Sequence, residues 1–294
     1  MPNMGQNGKL IMLACYLDGS GTHDQSLVIV WAGLAGHIQH FKEFEKKWKR
    51  QLRDPCDGLK PQIKALHSSY LALGDGEFAG YSEAERDLTR KNFRQIIIDC
   101  ELTWVSYGIS KEAWDNAVKE KKIYSRLTAE SIVFGKVIST LCKSSLPDEP
   151  MSFQFDKGRQ PESIVRMIEP AIGDAKKEYV SYAFTPVALN VGLQGADLVA
   201  HETYRFFNKY MDDQGATPIP HLQRLVDGAH DSLAGWFGRD EIDRAIVNVD
   251  SSFTGYERDE YLSYLESDSG VLEILCQFFN VQHNAVRRID NDRQ

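Results

Sequence analysis

Three aspartates are spaced along the chain where they could do chemistry together: Asp18, Asp156 and Asp197. Asp18 follows the apolar run Leu10–Leu17 and opens the turn-forming cluster Asp18-Gly19-Ser20-Gly21-Thr22-His23-Asp24. Asp156 follows the alternating run Met151-Ser152-Phe153-Gln154-Phe155. Asp197 lies in Leu193-Gln194-Gly195-Ala196-Asp197-Leu198-Val199-Ala200-His201-Glu202, near the start of a helix. The apolar positions of that helix (Leu193, Ala196, Ala200, Tyr204, Phe207) recur at three and four. An acid in the first turns of a helix has two readings. It complements the unpaired N–H groups and the positive end of the dipole, or it is one of several carboxylates around a cation. Gathered carboxylates repel one another unless they share a cation. An all-oxygen set suits Mg2+ or Mn2+, and two such ions about 4 Å apart activate a water and stabilise the leaving oxygen of a phosphodiester.

The elements that must bring these acids together are readable in outline. Leu10–Leu17 is apolar on both faces and suits a central strand, with Leu27–Leu34 as its hairpin partner. Ile38–Leu52 is an amphipathic helix with Phe41, Phe44, Trp48 and Leu52 on one side. Residues 54–81 read as an irregular insertion, and Glu83–Cys100 as a helix capped by Ser82. A strand at Thr103–Ile109, a helix at Tyr124–Leu141, the strand ending at Asp156, a helix at Glu162–Ala175, a strand at Tyr179–Phe184 and the helix from Gly192 to Tyr210 follow. This order gives an α/β fold. Its mixed sheet is an antiparallel meander followed by parallel strands joined through helical crossovers. The first crossover can lay the Asp156 strand beside the Asp18 strand, and the last helix can present Asp197 to both. Residues 1–212 form this domain, with a helical insertion at about 54–100. Residues 213–294, where short helical patterns fall at Leu222–Val226, Glu257–Leu265 and Val271–Phe279, read as a C-terminal helical appendage.

The element order resembles the ribonuclease H-like fold. More narrowly, Tyr16-Leu17-Asp18-Gly19-Ser20-Gly21-Thr22-His23, Phe153-Gln154-Phe155-Asp156 and Leu193-Gln194-Gly195-Ala196-Asp197-Leu198-Val199-Ala200 resemble the motifs of the DUF3800 family. That is a broad prokaryotic family often described as metal-dependent nucleases, and the likeness covers about residues 10–210. It implies a metal-dependent nuclease or phosphodiesterase acting on nucleic acid, with Asp18, Asp156 and Asp197 as catalytic ligands of Mg2+ or Mn2+. Ribonuclease H-like nucleases often add a fourth acid from the first crossover helix, which makes Glu130 a candidate. The family's first motif commonly reads Asp-Glu-Ser-Gly or Asp-Asp-Ser-Gly, whereas Gly19 holds the second position here. A non-catalytic nucleic-acid- or protein-binding regulatory module on the same fold is the alternative. Gln194, three residues before Asp197, is a candidate to hydrogen-bond a ligand or an acid. His23 and Ser20, beside Asp18, are candidate substrate contacts, though a turn histidine facing solvent is as common.

Other chemistries fit less well. No Gly-Lys-Ser/Thr follows Asp18–Gly21, so the turn is not a phosphate-binding loop. Ser20 joins two strands and so lacks the strand-to-helix elbow of a hydrolase nucleophile. The five cysteines (Cys15, Cys56, Cys100, Cys142, Cys276) are far apart and form no C-x-x-C pair, which points to reduced thiols and a cytoplasmic protein. No segment has the length and flanks of a signal peptide or membrane span, so no membrane partner is expected. With 294 residues, 42% apolar and 26% charged, the chain can bury a sizeable core. A net charge of −8 with no long basic block excludes affinity through a broad positive surface, leaving a local patch for any nucleic acid. Nothing in the residues fixes the oligomeric state.

Overall fold

The computed structural model describes residues 12–23, 25–119, 127–146, 149–158, 168, 172, 178–212 and 232–252. Six strands form one sheet in the order β5-β4-β1-β2-β3-β6, the last being Ser232–Phe237. The antiparallel meander is β1 (Leu13–Ser20), β2 (Val28–His37) and β3 (Thr103–Ser110). Beyond β1, β4 (Met151–Asp156) and then β5 (Val180–Thr185) are added in parallel. The expected mixed α/β sheet, antiparallel strands first and parallel strands after, is therefore present.

The strand boundaries follow from which residues find partners. β1 continues two residues past Asp18, because Gly19 pairs with Trp31 and Ser20 with Val30 across the hairpin. The hairpin then turns through Gly21 at φ 73°, where an added Cβ would lie 2.1 Å from the Val28 carbonyl oxygen. Only glycine fits there without strain.

Helices cover both faces. On one face lies α5 (Ala129–Ser144), which opens with a capping box between Thr128 and Ser131. On the other lie α1 (Ile38–Arg53), α2 (Ser68–Leu73), α3 (Glu83–Asp99) and α6 (Val191–Asp212). In α1 the buried positions are Phe41, Phe44, Trp48 and Leu52, as the spacing predicts. In α3, Ser82 caps the helix through a reciprocal box with Glu85, and the Ser82 N–H is the main reason the Glu85 carboxyl lies below its ordinary range. Two helices thus occupy the expected insertion. A helix not expected from the sequence, α4 (Lys111–Val118), follows β3 and is capped by the Ser110 hydroxyl.

The C-terminal region corrects one expectation. Residues 213–294 were expected to be a helical appendage, yet β6 (Ser232–Phe237) extends the main sheet, parallel to β3 with Trp104 opposite Ser232. Its sequence, Ser-Leu-Ala-Gly-Trp-Phe, lacks strict alternation, and its extended state comes from pairing with β3. The helix after it, α7 (Arg239–Ser252), packs on α4. The helices expected at 162–175, 222–226, 257–265 and 271–279 lie outside the described residues, apart from Ile168 and Ile172. Among the described residues no helix is long and apolar enough to cross a membrane, and Cys15, Cys56, Cys100 and Cys142 are buried with no disulfide among them.

Candidate functional site

Strand register sets two of the three acids side by side. Leu17 of β1 pairs with Phe155 of β4, and both side chains point into the core under α5. Side chains alternate along a strand, so the next residues, Asp18 and Asp156, share the opposite face. Asp18 confirms this side by pairing with Ala32, whose methyl belongs to the core under α6. Asp18 is 9% exposed, and its Oδ1 accepts the Gly19 N–H at 2.8 Å. Asp156 ends β4 opposite Thr185 of β5, and its Oδ1 accepts the Val187 N–H at 3.2 Å.

The third acid reaches this face on α6. The helix comes close to the sheet through Gly195, where an added Cβ would stand 2.7 Å from Leu34 and 2.9 Å from Phe44. Asp197 does not cap its own helix. That role falls to Asn190, whose Oδ1 accepts from the Gly192 and Leu193 N–H groups at 3.0 and 3.3 Å. Asparagine just before an apolar periodic run is a signal that could have identified this cap from the sequence. Asp197 instead accepts the Ser68 N–H through Oδ2 at 2.7 Å, and Ser68 is the first residue of α2 in the insertion. The half-buried carboxylate therefore ties α6 to the insertion.

The remaining candidates are distributed around this face and beyond it. Gln194 is 2% exposed, and all its bonds stay inside the fold. Its Oε1 accepts from Trp48 Nε1 and the Leu66 N–H, each at 3.0 Å, and its Nε2 donates to the carbonyls of Val187 and Ala188 at 3.4 and 3.5 Å. Glu130 lies in the first turn of α5 and accepts from Trp31 Nε1 at 3.2 Å. Trp31 belongs to the α5-side core, so Glu130 approaches the sheet from the face opposite Asp18. Ser20 ends β1 on the same face as Asp18. His23 is exposed in the hairpin turn, where its carbonyl accepts from Lys111 Nζ at 2.6 Å. His67 precedes α2, with its ring 5.3 Å from that of Tyr70. Asp24 lies outside the described residues.

Further along α6 burial shifts the pKa of two groups, Glu202 upward and His201 downward. Glu202 sits 3.0 Å from Arg90 of α3 and 3.7 Å from Arg205, an arrangement not expected from the sequence. Burial raises its carboxyl pKa more than the guanidinium groups of Arg90, Arg205 and Arg94 lower it, and its Oε1 lacks an aligned hydrogen bond despite the short ion-pair distance. His201 is pushed down to about 4, first by burial and then by Arg205 and Arg90, and its Nδ1 is buried without a partner. Both groups belong to the contact between α6 and α3.

Carboxylate oxygens are the donor type that a hard divalent cation requires, and a carboxylate as buried as Asp18 beside a second acid is the setting in which a cation lowers repulsion. Among the described residues, however, no group of three or more His, Cys, Asp or Glu side chains is placed to hold a metal ion. No protein-family model matches the chain, and comparison with curated proteins gives no match.

Proposed function

We propose that the chain is a cytoplasmic, divalent-metal-dependent nuclease or phosphodiesterase of the ribonuclease H-like type, related to the DUF3800 family. One observation carries this reading. The parallel register of β1 and β4 sets Asp18 next to Asp156 on the face that α6 crosses with Asp197. The three carboxylates would hold Mg2+ or Mn2+, which, when bound, supplies an activated water and charge stabilisation at the leaving oxygen of a nucleic-acid phosphodiester. The chain's own part is to keep Asp18 and Asp156 adjacent on one face of the sheet. Asp156 and Asp197 each also accept a backbone N–H, from Val187 and Ser68 respectively, which orients the carboxylates.

A second reading is a non-catalytic nucleic-acid- or protein-binding module on the same scaffold. It is favoured by the absence, among the described residues, of three ligands already placed around one point, and by Gly19 where an acid is common in the resembling family. A cleavage assay separates the two. Full-length protein is incubated with single- and double-stranded DNA and RNA in Mn2+, Mg2+ or EDTA, alongside Asp18→Asn and Asp197→Asn. Metal-dependent cleavage lost in both variants supports the nuclease. Binding of nucleic acid without cleavage, unchanged in the variants, supports the module.

A further inference from the structure

We propose that Gln194 is a positioning residue which couples, through a single amide, the two segments whose N–H groups hold Asp156 and Asp197. The functional consequence rests on the metal-dependent reading above; the structural coupling does not.

The chain of contacts is short. Asp156 accepts the Val187 N–H at 3.2 Å, and the carbonyl of the same Val187 accepts from Gln194 Nε2 at 3.4 Å. On the other side Asp197 accepts the Ser68 N–H at 2.7 Å, and the N–H of Leu66, two residues earlier, donates to Gln194 Oε1 at 3.0 Å. Trp48 Nε1 of α1 fills the second acceptor site of that oxygen at 3.0 Å. Ala188 provides a second carbonyl for the Nε2 group at 3.5 Å. Gln194 therefore uses two acceptor sites and two donors, the full capacity of a primary amide, on three separate segments. It is 2% exposed and has no polar atom left over for substrate.

The chemistry explains why glutamine stands here. The backbone at 66–68 leads into α2 beside the start of α6, and the backbone at 187–189 is a single 3-10 turn after β5. The Leu66, Ser68 and Val187 N–H groups precede or open these short helical turns and so have no ladder partner of their own. Each segment presents an N–H to one of the acids. A side chain that holds both segments from one point fixes where those N–H groups sit, and through them how Asp156 and Asp197 are turned. Glutamate at 194 would keep the acceptor for Trp48 and Leu66 but lose the donors to Val187 and Ala188. Methionine would keep the volume and lose both.

The test compares Gln194→Met, Gln194→Glu and Trp48→Phe in the full chain by amide hydrogen exchange without metal and by Mn2+ titration. In Gln194→Met the Leu66, Ser68 and Val187 amides are expected to exchange more than about tenfold faster, with amides of β1 and β4 unchanged. Gln194→Glu is expected to keep Leu66 and Ser68 protected and to expose Val187 alone; it carries the test if Gln194→Met fails to fold. Trp48→Phe, which removes only the indole bond to the same oxygen, should leave Ser68 and Val187 as in the wild type despite its own loss of stability. Mn2+ affinity should fall about tenfold or more in Gln194→Met and hold in Trp48→Phe. The proposal is overturned if Ser68 and Val187 keep wild-type exchange in both Gln194 variants. It is equally overturned if Gln194→Met and Trp48→Phe show the same exchange pattern and the same Mn2+ affinity. If the wild type takes up no Mn2+, the metal-dependent reading fails, and the exchange pattern alone decides the coupling.

Discussion

On the α5 side of the sheet, aromatic rings pack directly on one another: Trp31 meets Phe134 edge-on at 4.7 Å, and Phe134 lies 5.8 Å from Phe155. Every residue of α5 from Ser131 to Cys142 is buried there. On the α6 side the same sheet faces a half-polar layer. Asp18, Gln194, Thr203, His201 and Glu202 are set among the aromatics, and one amide joins three segments. All the described buried side-chain atoms without a hydrogen-bond partner belong to this side's elements: Ser68, Tyr81 and Thr89 in the insertion, and His201, Glu202 and Thr203 in α6. The difference teaches that, although α5 also buries Lys136, Ser139 and Thr140, the unpartnered polar groups of the described residues gather in the α6 layer. Departures from full polar satisfaction concentrate where function is built; Asp18 and Asp156 face that second layer, and Asp197 lies within it.

This comparison can be broken most directly in the apolar layer. Phe155→Ala should cost about 3–5 kcal/mol in urea unfolding, whereas Asp197→Asn, which keeps an acceptor for Ser68, should cost less than about 1.5 kcal/mol. Equal losses would remove the distinction between the layers. The pH dependence tests the polar layer next. His201 has its folded pKa pushed down to about 4 from an ordinary 6.5, so the unfolded chain takes up the proton first. Its contribution is fully present above pH 6.5 and declines, by up to about 3 kcal/mol, as the pH falls toward 4. Urea midpoints measured across that range should fall less steeply in His201→Gln than in the wild type.

A smaller effect sharpens the contrast from within the apolar layer. Lys136 of α5 is 4% exposed, with its Nζ 5.8 Å from the centre of the Tyr107 ring, and burial followed by Lys143 pushes its pKa down to about 8. At pH 7 it is still protonated in the folded chain, so the cost of burying the charge is fully present. Lys136→Met should therefore stabilise the protein by about 1–3 kcal/mol, seen as a higher Tm in scanning calorimetry, and wild-type stability should rise as the pH increases from about 8 toward 10.5. The smallest expected effect belongs to an exposed cap that serves neither layer. Ser82→Ala should cost about 1 kcal/mol in the same urea measurement and leave Mn2+ uptake unchanged.

Much of the fold was legible because its signals are local. Phe41, Phe44, Trp48 and Leu52 identify α1 by spacing, Ser82 marks the start of α3, and Met151–Phe155 alternates as half-buried strands do. β6 was not legible, since only its pairing with β3 makes Ser232–Phe237 a strand. The end of β1 was misplaced for the same reason: Gly19 and Ser20 look like turn residues alone but have partners in Trp31 and Val30. At the site, strand alternation and the crossover order were enough to bring Asp18 beside Asp156. The bonds from Ser68 to Asp197 and from Leu66 to Gln194 were not, because each spans more than a hundred residues between an irregular segment and a helix. The same long range hides the separation of Glu130, which only the burial of Trp31 assigns to the other face.

The most direct measurement is calorimetric titration of Mn2+ into the full-length protein, with Asp18→Asn and Asp156→Asn as partners. Saturable binding that Mg2+ displaces, weakened by about tenfold or more in each variant, is expected if the β1–β4 register creates a shared cation site. No saturable binding, or variants that bind as the wild type does, would contradict it.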